Sequence, residues 1–253
     1  MKKALITGAS GGIGLALARR LADDNHQLTL VARNGDKLRT AIASLKGSGH
    51  KMMVSDLTNE RDLYVLEEHL AANRYDLLVN NAGAGIYSAF VEVALEDHLR
   101  IMKLNMDALV TLSYSFLKNA SKGNALVNIA SLIGLSSLPG GAVYAGSKGF
   151  VANFSESLWY EFKDKGVFVM GFNPGAADSA FHSNAGGNTG DFPKFVMSSV
   201  EDVVDELVRE LQKRRKPRVV QGFKNRLMLF GFRFLSRKAA INIMGRISPG
   251  ITH

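Results

Sequence analysis

Short apolar segments alternate with longer segments of helical character along most of this chain of 253 residues. Short apolar runs between amphipathic helices are typical of strands buried on both faces. Successive parallel strands need helical crossovers, which are right-handed in nearly every known case. The pattern therefore predicts an α/β fold around a parallel sheet. Strands are predicted at 3–7, 27–32, 51–54, 76–79, 124–130, 167–172 and 218–220, and helices at 13–22, 36–44, 59–71, 95–119, 144–163 and 200–213.

A glycine-rich loop, Thr7-Gly8-Ala9-Ser10-Gly11-Gly12-Ile13-Gly14, joins the first predicted strand to the first helix. Glycines at such a junction allow a tight turn and a close approach of backbone to a pyrophosphate. The amino end of the following helix offers unpaired N–H groups and a positive dipole to phosphates. The loop therefore predicts a dinucleotide site. Its contacts are expected at Gly8, Ser10, Gly12, Ile13 and Gly14.

The end of the second predicted strand indicates which dinucleotide is preferred. An acidic residue at this position accepts hydrogen bonds from the ribose of NAD, whereas an arginine accommodates the 2′-phosphate of NADP. Here the strand ends in Val31-Ala32-Arg33-Asn34, without an acid. A guanidinium suits a phosphate dianion, and the Ser10 hydroxyl adds a donor. The sequence predicts NADP(H) over NAD(H), with a solvated Arg33 as the alternative.

Tyr144 and Lys148 stand four residues apart in a predicted helix, with Ser131 thirteen residues before the tyrosine. Residues at this spacing share one face of a helix. An adjacent ammonium favours the phenolate, so the pair predicts a phenol whose pKa is lowered toward neutrality. A serine hydroxyl could hold a substrate oxygen against that phenol. An ordinary helical pair is the alternative interpretation.

Four motifs together resemble the short-chain dehydrogenase/reductase family over residues 2–220. They are the loop at 7–14, Asn-Asn-Ala-Gly at 80–83, Ser131, and Tyr144-x-x-x-Lys148. The resemblance implies a Rossmann-type, doubly wound sheet of seven parallel strands in the order 3-2-1-4-5-6-7, with helices on both faces.

The resemblance also implies a role for each matching side chain. Tyr144 would be the general acid/base, and Lys148 would lower its pKa and bind the nicotinamide ribose. Ser131 would orient the carbonyl, and Asn105 would hold a water of a proton relay. Ser179 stands near the threonine that is usual in the family. Further cofactor contacts are implied at Asp56, Asn81, Ala82, Gly83, Pro174 and Gly175, in addition to Tyr144 and Lys148.

The implied function is an NADP(H)-dependent oxidoreductase that exchanges a hydride between nicotinamide and a carbonyl or secondary alcohol. The alternatives are a non-catalytic NADP-binding sensor or scaffold, and a lipid- or steroid-type alcohol dehydrogenase at a membrane surface. The chain has no cysteine, which excludes thiolate chemistry and disulfides. Its histidines lack metal-ligand spacing. His182 is expected at the surface, with a contact to the substrate as the alternative. No nucleic-acid partner is expected, whereas a homodimer or homotetramer is implied.

The basic charge of the chain is concentrated in its last part. Eleven lysines and arginines and no acid lie in residues 211–253, whereas residues 1–210 carry a net charge of −3. We expect one catalytic domain at 1–220, with a substrate loop at about 175–197, followed by an extension at 221–253. Three interpretations of the tail remain open: an anionic membrane contact through 211–246, a substrate lid, and an arm on a partner subunit. The apolar run 4–6 is too short for a signal peptide, so a cytoplasmic location is expected. If the tail contacts a membrane, the protein would be peripheral to it.

Overall fold

A computed structural model of the chain describes residues 1–187 and 197–251. Its main sheet has seven parallel strands in the spatial order 51–54, 27–32, 3–7, 77–80, 125–129, 168–173 and 218–220, which confirms the predicted topology. A separate pair of short strands, 176–177 with 197–198, was not predicted. The strands are β1 (Lys3–Thr7), β2 (Gln27–Ala32), β3 (Lys51–Val54), β4 (Leu77–Asn80), β5 (Ala125–Ile129), β6 (Phe168–Asn173), β7 (Ala176–Ala177), β8 (Met197–Ser198) and β9 (Arg218–Val220).

Helices cover both faces of the main sheet. Ile6 of β1 packs with Leu17 and Leu207 on one face, and the preceding Leu5 packs with Leu66 and Leu112 on the other. Alternate side chains of one strand thus enter two separate cores, as a sheet buried on both sides requires. The helices are α1 (Gly12–Asp23), α2 (Gly35–Ala43), α3 (Glu60–Ala72), α4 (Leu95–Met102), α5 (Ala108–Lys118), α6 (Ala142–Phe162), α7 (Ala180–Asn184), α8 (Val200–Lys213), α9 (Phe223–Phe232) and α10 (Arg237–Arg246).

The helix predicted at 95–119 is not one regular α-helix. A π-helical turn at Lys103–Asp107 separates α4 from α5 and contains Asn105. Such turns are rare, carry no sequence signature of their own and are frequent at functional sites. The prediction of a continuous helix was wrong at this point because helical periodicity does not distinguish the two hydrogen-bond patterns.

The chain after residue 220 forms α9 and α10, which pack beside the carboxyl ends of the strands. Met244 is buried there in a cluster that contains Tyr87 and Tyr144, with Phe232 partly buried against it. The Ser248 hydroxyl donates to the Pro139 carbonyl. Within 1–187 and 197–251, no helix combines the length and apolarity needed to cross a bilayer. The division of the chain at residue 220 stays a prediction. Of the predicted substrate loop at about 175–197, residues 188–196 lie outside the described part of the chain.

Candidate active site

The glycine-rich loop leaves the start of α1 open to a ligand. Gly11 is the N-cap and supplies no side-chain hydrogen bond, so the first N–H groups of the helix are not capped by a side chain. Gly8 has φ +65°, and a Cβ there would lie 2.9 Å from the Ala82 Cα. A Cβ on Gly14 would lie 2.5 Å from the Gly8 carbonyl oxygen. Gly14 therefore serves close packing within the loop, whereas the open helix end fits a pyrophosphate.

Hydrogen bonds from the turn after β4 hold the loop in place. The Asn81 side-chain amide donates to the carbonyls of Thr7 at 2.9 Å and Gly8 at 3.2 Å. In return, the Thr7 hydroxyl accepts from the backbone N–H groups of Asn81 and Ala82, both at 3.0 Å. These bonds join the carboxyl ends of two neighbouring strands, where ligands bind in open α/β sheets. Asn81 thus shapes the predicted cofactor cleft.

One end of this cleft is a cavity of about 650 Å³ beside the end of β2. Arg33 lines it together with Lys37, which lies four residues later in the chain, in the first turn of α2. Asp56 does not line the cavity, although its neighbours Ser55 and Leu57 do. Its carboxylate instead accepts hydrogen bonds from the N–H and hydroxyl of Thr58 at 3.0 and 2.7 Å.

Asp56 remains electrostatically part of the cleft. Burial raises the pKa of its carboxyl group, but the Thr58 hydrogen bonds and the charges of Arg33 and Arg100 outweigh that effect and lower the pKa overall. The charge of Arg33 thus acts on Asp56, although the two side chains form no ion pair within the described residues. Contact between Asp56 and an adenine ring stays a prediction.

The other end of the cleft is a cavity of about 380 Å³ that brings together Ser131, Tyr144 and Lys148. Gly8 and Ser10 line both cavities, so the cleft runs continuously from Arg33 to the phenol. Of the predicted site residues, those lining this second cavity are Gly8, Ser10, Gly12, Ile13, Asn81, Ala82, Gly83, Ser131, Tyr144, Lys148, Pro174 and Gly175. Ser179 also lines it, and a Cβ on Gly12 would lie 3.6 Å from the Ser179 Cβ.

Tyr144 is buried, and its environment opposes ionisation. Burial raises the pKa of the phenol to about 12, although a hydrogen bond with the Ser131 side chain lowers it in part. The Lys148 ammonium donates to the Ile129 carbonyl at 2.8 Å. The prediction of a lowered phenol pKa is therefore wrong for this arrangement, because desolvation outweighs any effect of the lysine. Burial also lowers the pKa of Lys148, to about 8.

Asn105 lies behind the cavity that contains Tyr144 and Lys148 and does not line it. Its side-chain oxygen accepts from the Ala84 N–H at 3.0 Å, and its amide donates to the Ala84 carbonyl and the Ser147 hydroxyl, both at 2.9 Å. The same oxygen and the Lys148 ammonium would lie 3.2 and 3.1 Å from a Cβ on Gly83. Asn105 therefore fixes the turn that carries Gly83 beside Lys148. Its implied role in holding a water stays a prediction.

Several cavity residues were missed by sequence reasoning. The Tyr87 ring meets Tyr144 edge-on with centroids 6.2 Å apart, and the Phe181 ring lies 5.4 Å from Tyr144. His182 is only 6% exposed, and its Nδ1 lies 3.4 Å from the Tyr87 hydroxyl. The expectation of a surface histidine was therefore wrong. These residues lie in loops and a five-residue helix, where no periodic pattern marks the buried side chains.

The tail supplies part of the cavity wall. Met228 of α9, Met244 of α10 and Ile247 line the same cavity as Ser131, Tyr144 and Lys148. All three are apolar, and Leu138 and Phe181 also line the cavity. This placement favours the interpretation of the tail as a lid that covers an apolar part of the substrate.

Comparisons with known proteins show which family the chain resembles. A family model described as short chain dehydrogenase matches residues 2–189. A glucose 1-dehydrogenase of Gluconobacter oxydans is 35% identical over 69% of this chain and 69% of its own length. A 3-oxoacyl-(acyl-carrier-protein) reductase of Rickettsia bellii is 28% identical over 87% of this chain and 83% of its length. A Sphingobium yanoikuyae short-chain dehydrogenase, solved with NADPH, is 30% identical with a TM-score of 0.81, over 92% of this chain and 94% of that one.

Proposed function

The chain belongs to the short-chain dehydrogenase/reductase family and is an oxidoreductase acting on CH–OH or carbonyl groups, and we propose that it reduces carbonyls with NADPH. The observation that supports this most is the continuous cleft from Arg33 over the open end of α1 to Tyr144 and Lys148. A panel of carbonyl compounds, assayed by the oxidation of NADPH, tests the proposal. Consumption of NADPH with none of them would contradict it.

Each polar group of the catalytic cavity has a place in the proposed reaction. A bound nicotinamide dinucleotide supplies the hydride for the carbonyl carbon, or accepts it in the reverse direction. Tyr144 donates its phenolic proton to the substrate oxygen, and the Ser131 hydroxyl donates a hydrogen bond to the same oxygen. The Lys148 ammonium stabilises the phenolate that forms. Burial of Tyr144 keeps the phenol protonated before the reaction, as a proton donor requires.

The preference for NADP(H) over NAD(H) is supported by charge at the end of β2. Arg33 and Lys37 are both exposed and line the same cavity as Ser10. The nearest acid of α2, Asp36, pairs with Arg39. Two cations beside a serine hydroxyl suit a 2′-phosphate dianion, and no carboxylate occupies the end of the strand to bind a free ribose. Sequence reasoning missed Lys37, although its position four residues after Arg33 placed it nearby.

Replacing Arg33 with aspartate is expected to change the cofactor preference. We expect the ratio of kcat/KM for NADPH to that for NADH to fall about a hundredfold, since a charge-assisted bond is exchanged for repulsion. Steady-state kinetics with both cofactors measure the ratio. Arg39→Asp is the matched control, because Arg39 belongs to the adjacent helix and does not line the cleft. An unchanged ratio in Arg33→Asp would contradict the proposed role.

The rate of carbonyl reduction is expected to depend on the charge of Lys148. The lysine is protonated below its lowered pKa of about 8 and loses its charge above it, while Tyr144, at about 12, stays protonated. We therefore expect kcat at saturating NADPH to fall as the pH rises through about 8. In Lys148→Arg the guanidinium stays charged, so this fall should disappear whatever the absolute rate. A wild-type rate that is constant up to a pH of about 10 would contradict this account.

The other interpretations differ in support. The relatives described above are named as dehydrogenases or reductases, and none supports a non-catalytic sensor or scaffold. A homodimer or homotetramer is proposed from the family. The exposed Tyr160 on α6 is available for such a contact, whereas Trp159 and Phe162 are partly buried against the core. A cytoplasmic location and contact of residues 211–246 with an anionic membrane surface are also proposals, and the structure offers specific residues for that contact.

A further inference from the structure

Helix α9 carries an exposed apolar stripe on its outer side. The stripe consists of Phe223, Leu227, Phe230 and Phe234, which are 72%, 58%, 54% and 76% exposed. Their spacings of four, three and four residues place all four side chains on one side of the helix and its final turn. The Phe230 and Phe234 rings touch, with centroids 5.2 Å apart. Clustered aromatic side chains of this size normally mark a surface that is covered by a partner.

Basic side chains flank the stripe. Lys224 and Arg233 are exposed on α9 and its final turn, and Arg237 and Lys238 are exposed at the start of α10. Of the basic residues after Gly222, Arg226 pairs with Glu206. Arg237 donates a hydrogen bond to the Ser137 hydroxyl. Within the described part of the chain no ion pair is found for Lys224, Arg233 or Lys238. The surface therefore combines an apolar centre with cations that are available to an external anion.

We propose that this stripe docks α9 onto an anionic lipid bilayer, with the aromatic rings at the acyl boundary and the lysines and arginines at the headgroups. An amphipathic helix with aromatic residues on one side and basic residues beside them binds membranes in this way. The charge distribution favours lipid over a second copy of the chain. Residues 211–253 contain no acid, so two such surfaces would bring cations together across the interface.

The same helix presents its other side to the catalytic cavity. Met228 lines that cavity, and Phe232 packs against the cluster that contains Tyr144. Docking therefore places a wall of the cavity at the lipid surface, where an apolar carbonyl compound dissolved in the bilayer is concentrated. This last step rests on the proposed reductase activity, whereas the docking itself does not.

Vesicle sedimentation of the full-length protein tests the docking. Vesicles of equal parts phosphatidylcholine and phosphatidylglycerol are compared with vesicles of phosphatidylcholine alone, at low and at physiological salt. We expect binding to the anionic vesicles that weakens with salt. The double variant Phe230→Ser/Phe234→Ser should bind at least about tenfold more weakly, because burial of even one phenyl side chain strengthens binding by about that factor. The affinity of Lys224→Gln/Arg233→Gln for anionic vesicles should fall about fivefold per charge removed, and its affinity for vesicles of phosphatidylcholine alone should not change.

A matched control separates the stripe from general surface hydrophobicity. Tyr64→Ser/Val65→Ser removes two side chains of α3 that are 60% and 53% exposed, and it should bind like the wild type. Reduction of a water-soluble carbonyl without vesicles should be unchanged in the stripe variant, so a failure of docking is distinguishable from a failure of the proposed chemistry. Vesicle binding equal to wild type in the stripe variant would overturn the proposal. So would a stripe-dependent dimer in sedimentation velocity together with no vesicle binding.

Discussion

Carbonyl reduction by the Tyr144→Phe variant is expected to be slower than wild type by about a thousandfold in kcat, within the range for loss of a general acid. The substitution removes the phenolic proton and keeps the ring. That ring packs against Tyr87 and Phe181, so the walls of the cavity should remain in place. The cofactor cleft also runs past the glycine loop and Arg33, which the substitution does not touch.

Measurements of binding and rate must therefore diverge in this variant. Titration of NADPH fluorescence should give a dissociation constant within about tenfold of wild type, since one phenolic hydrogen bond contributes about 0.5–1.5 kcal/mol. Tyr160→Phe is the control, because Tyr160 lies on the same helix, is 66% exposed and is remote from the cavity. Near-normal turnover in Tyr144→Phe would refute the assignment of the general acid. Loss of both binding and turnover would show that the cleft itself had been disturbed.

The parallel sheet could be predicted because its signal is local and repeated. A buried strand is recognisable as a short apolar run. Because crossovers between parallel strands are right-handed, few topologies then remain possible. Strands β1, β2 and β3 occur at the predicted residues. The predictions failed where structure depends on tertiary contacts. The π-helical turn at Lys103–Asp107 is held by bonds from Asn105 to a loop twenty-one residues away in sequence, which no local pattern reveals.

The site was predictable in its motif residues and not in its environment. Tyr144, Lys148 and Ser131 meet in one cavity as the motifs indicated, but the expected drop in the pKa of Tyr144 did not appear. Spacing shows which groups are neighbours, whereas a pKa depends on burial by residues far apart in the chain. The same reason hid the contributions of Tyr87 and Met244 to the cavity, since these residues come from a loop and from the basic tail.

The contact between the Ser131 segment and α6 could not be predicted from the sequence either. Gly134 lies three residues after Ser131 and packs directly on the backbone of α6. A Cβ there would lie 2.4 Å from the carbonyl carbon of Lys148 and 2.6 Å from the nitrogen of Gly149. Neither atom can move as the end of a flexible side chain could. Gly134→Ala must therefore separate the two segments that carry Ser131 and Lys148.

We expect Gly134→Ala to lower kcat/KM by about a hundredfold, since a displacement of about 1 Å in a catalytic site has an effect of this size. Overpacking should also reduce the free energy of unfolding by about 1–3 kcal/mol, measured by urea denaturation. Gly146→Ala is the matched control on α6, because a Cβ there meets nothing within 4 Å. Alanine in place of this helical glycine should stabilise by about 0.5–1 kcal/mol and leave kcat/KM unchanged. Wild-type activity in Gly134→Ala would show that the spacing between Ser131 and α6 does not control the reaction.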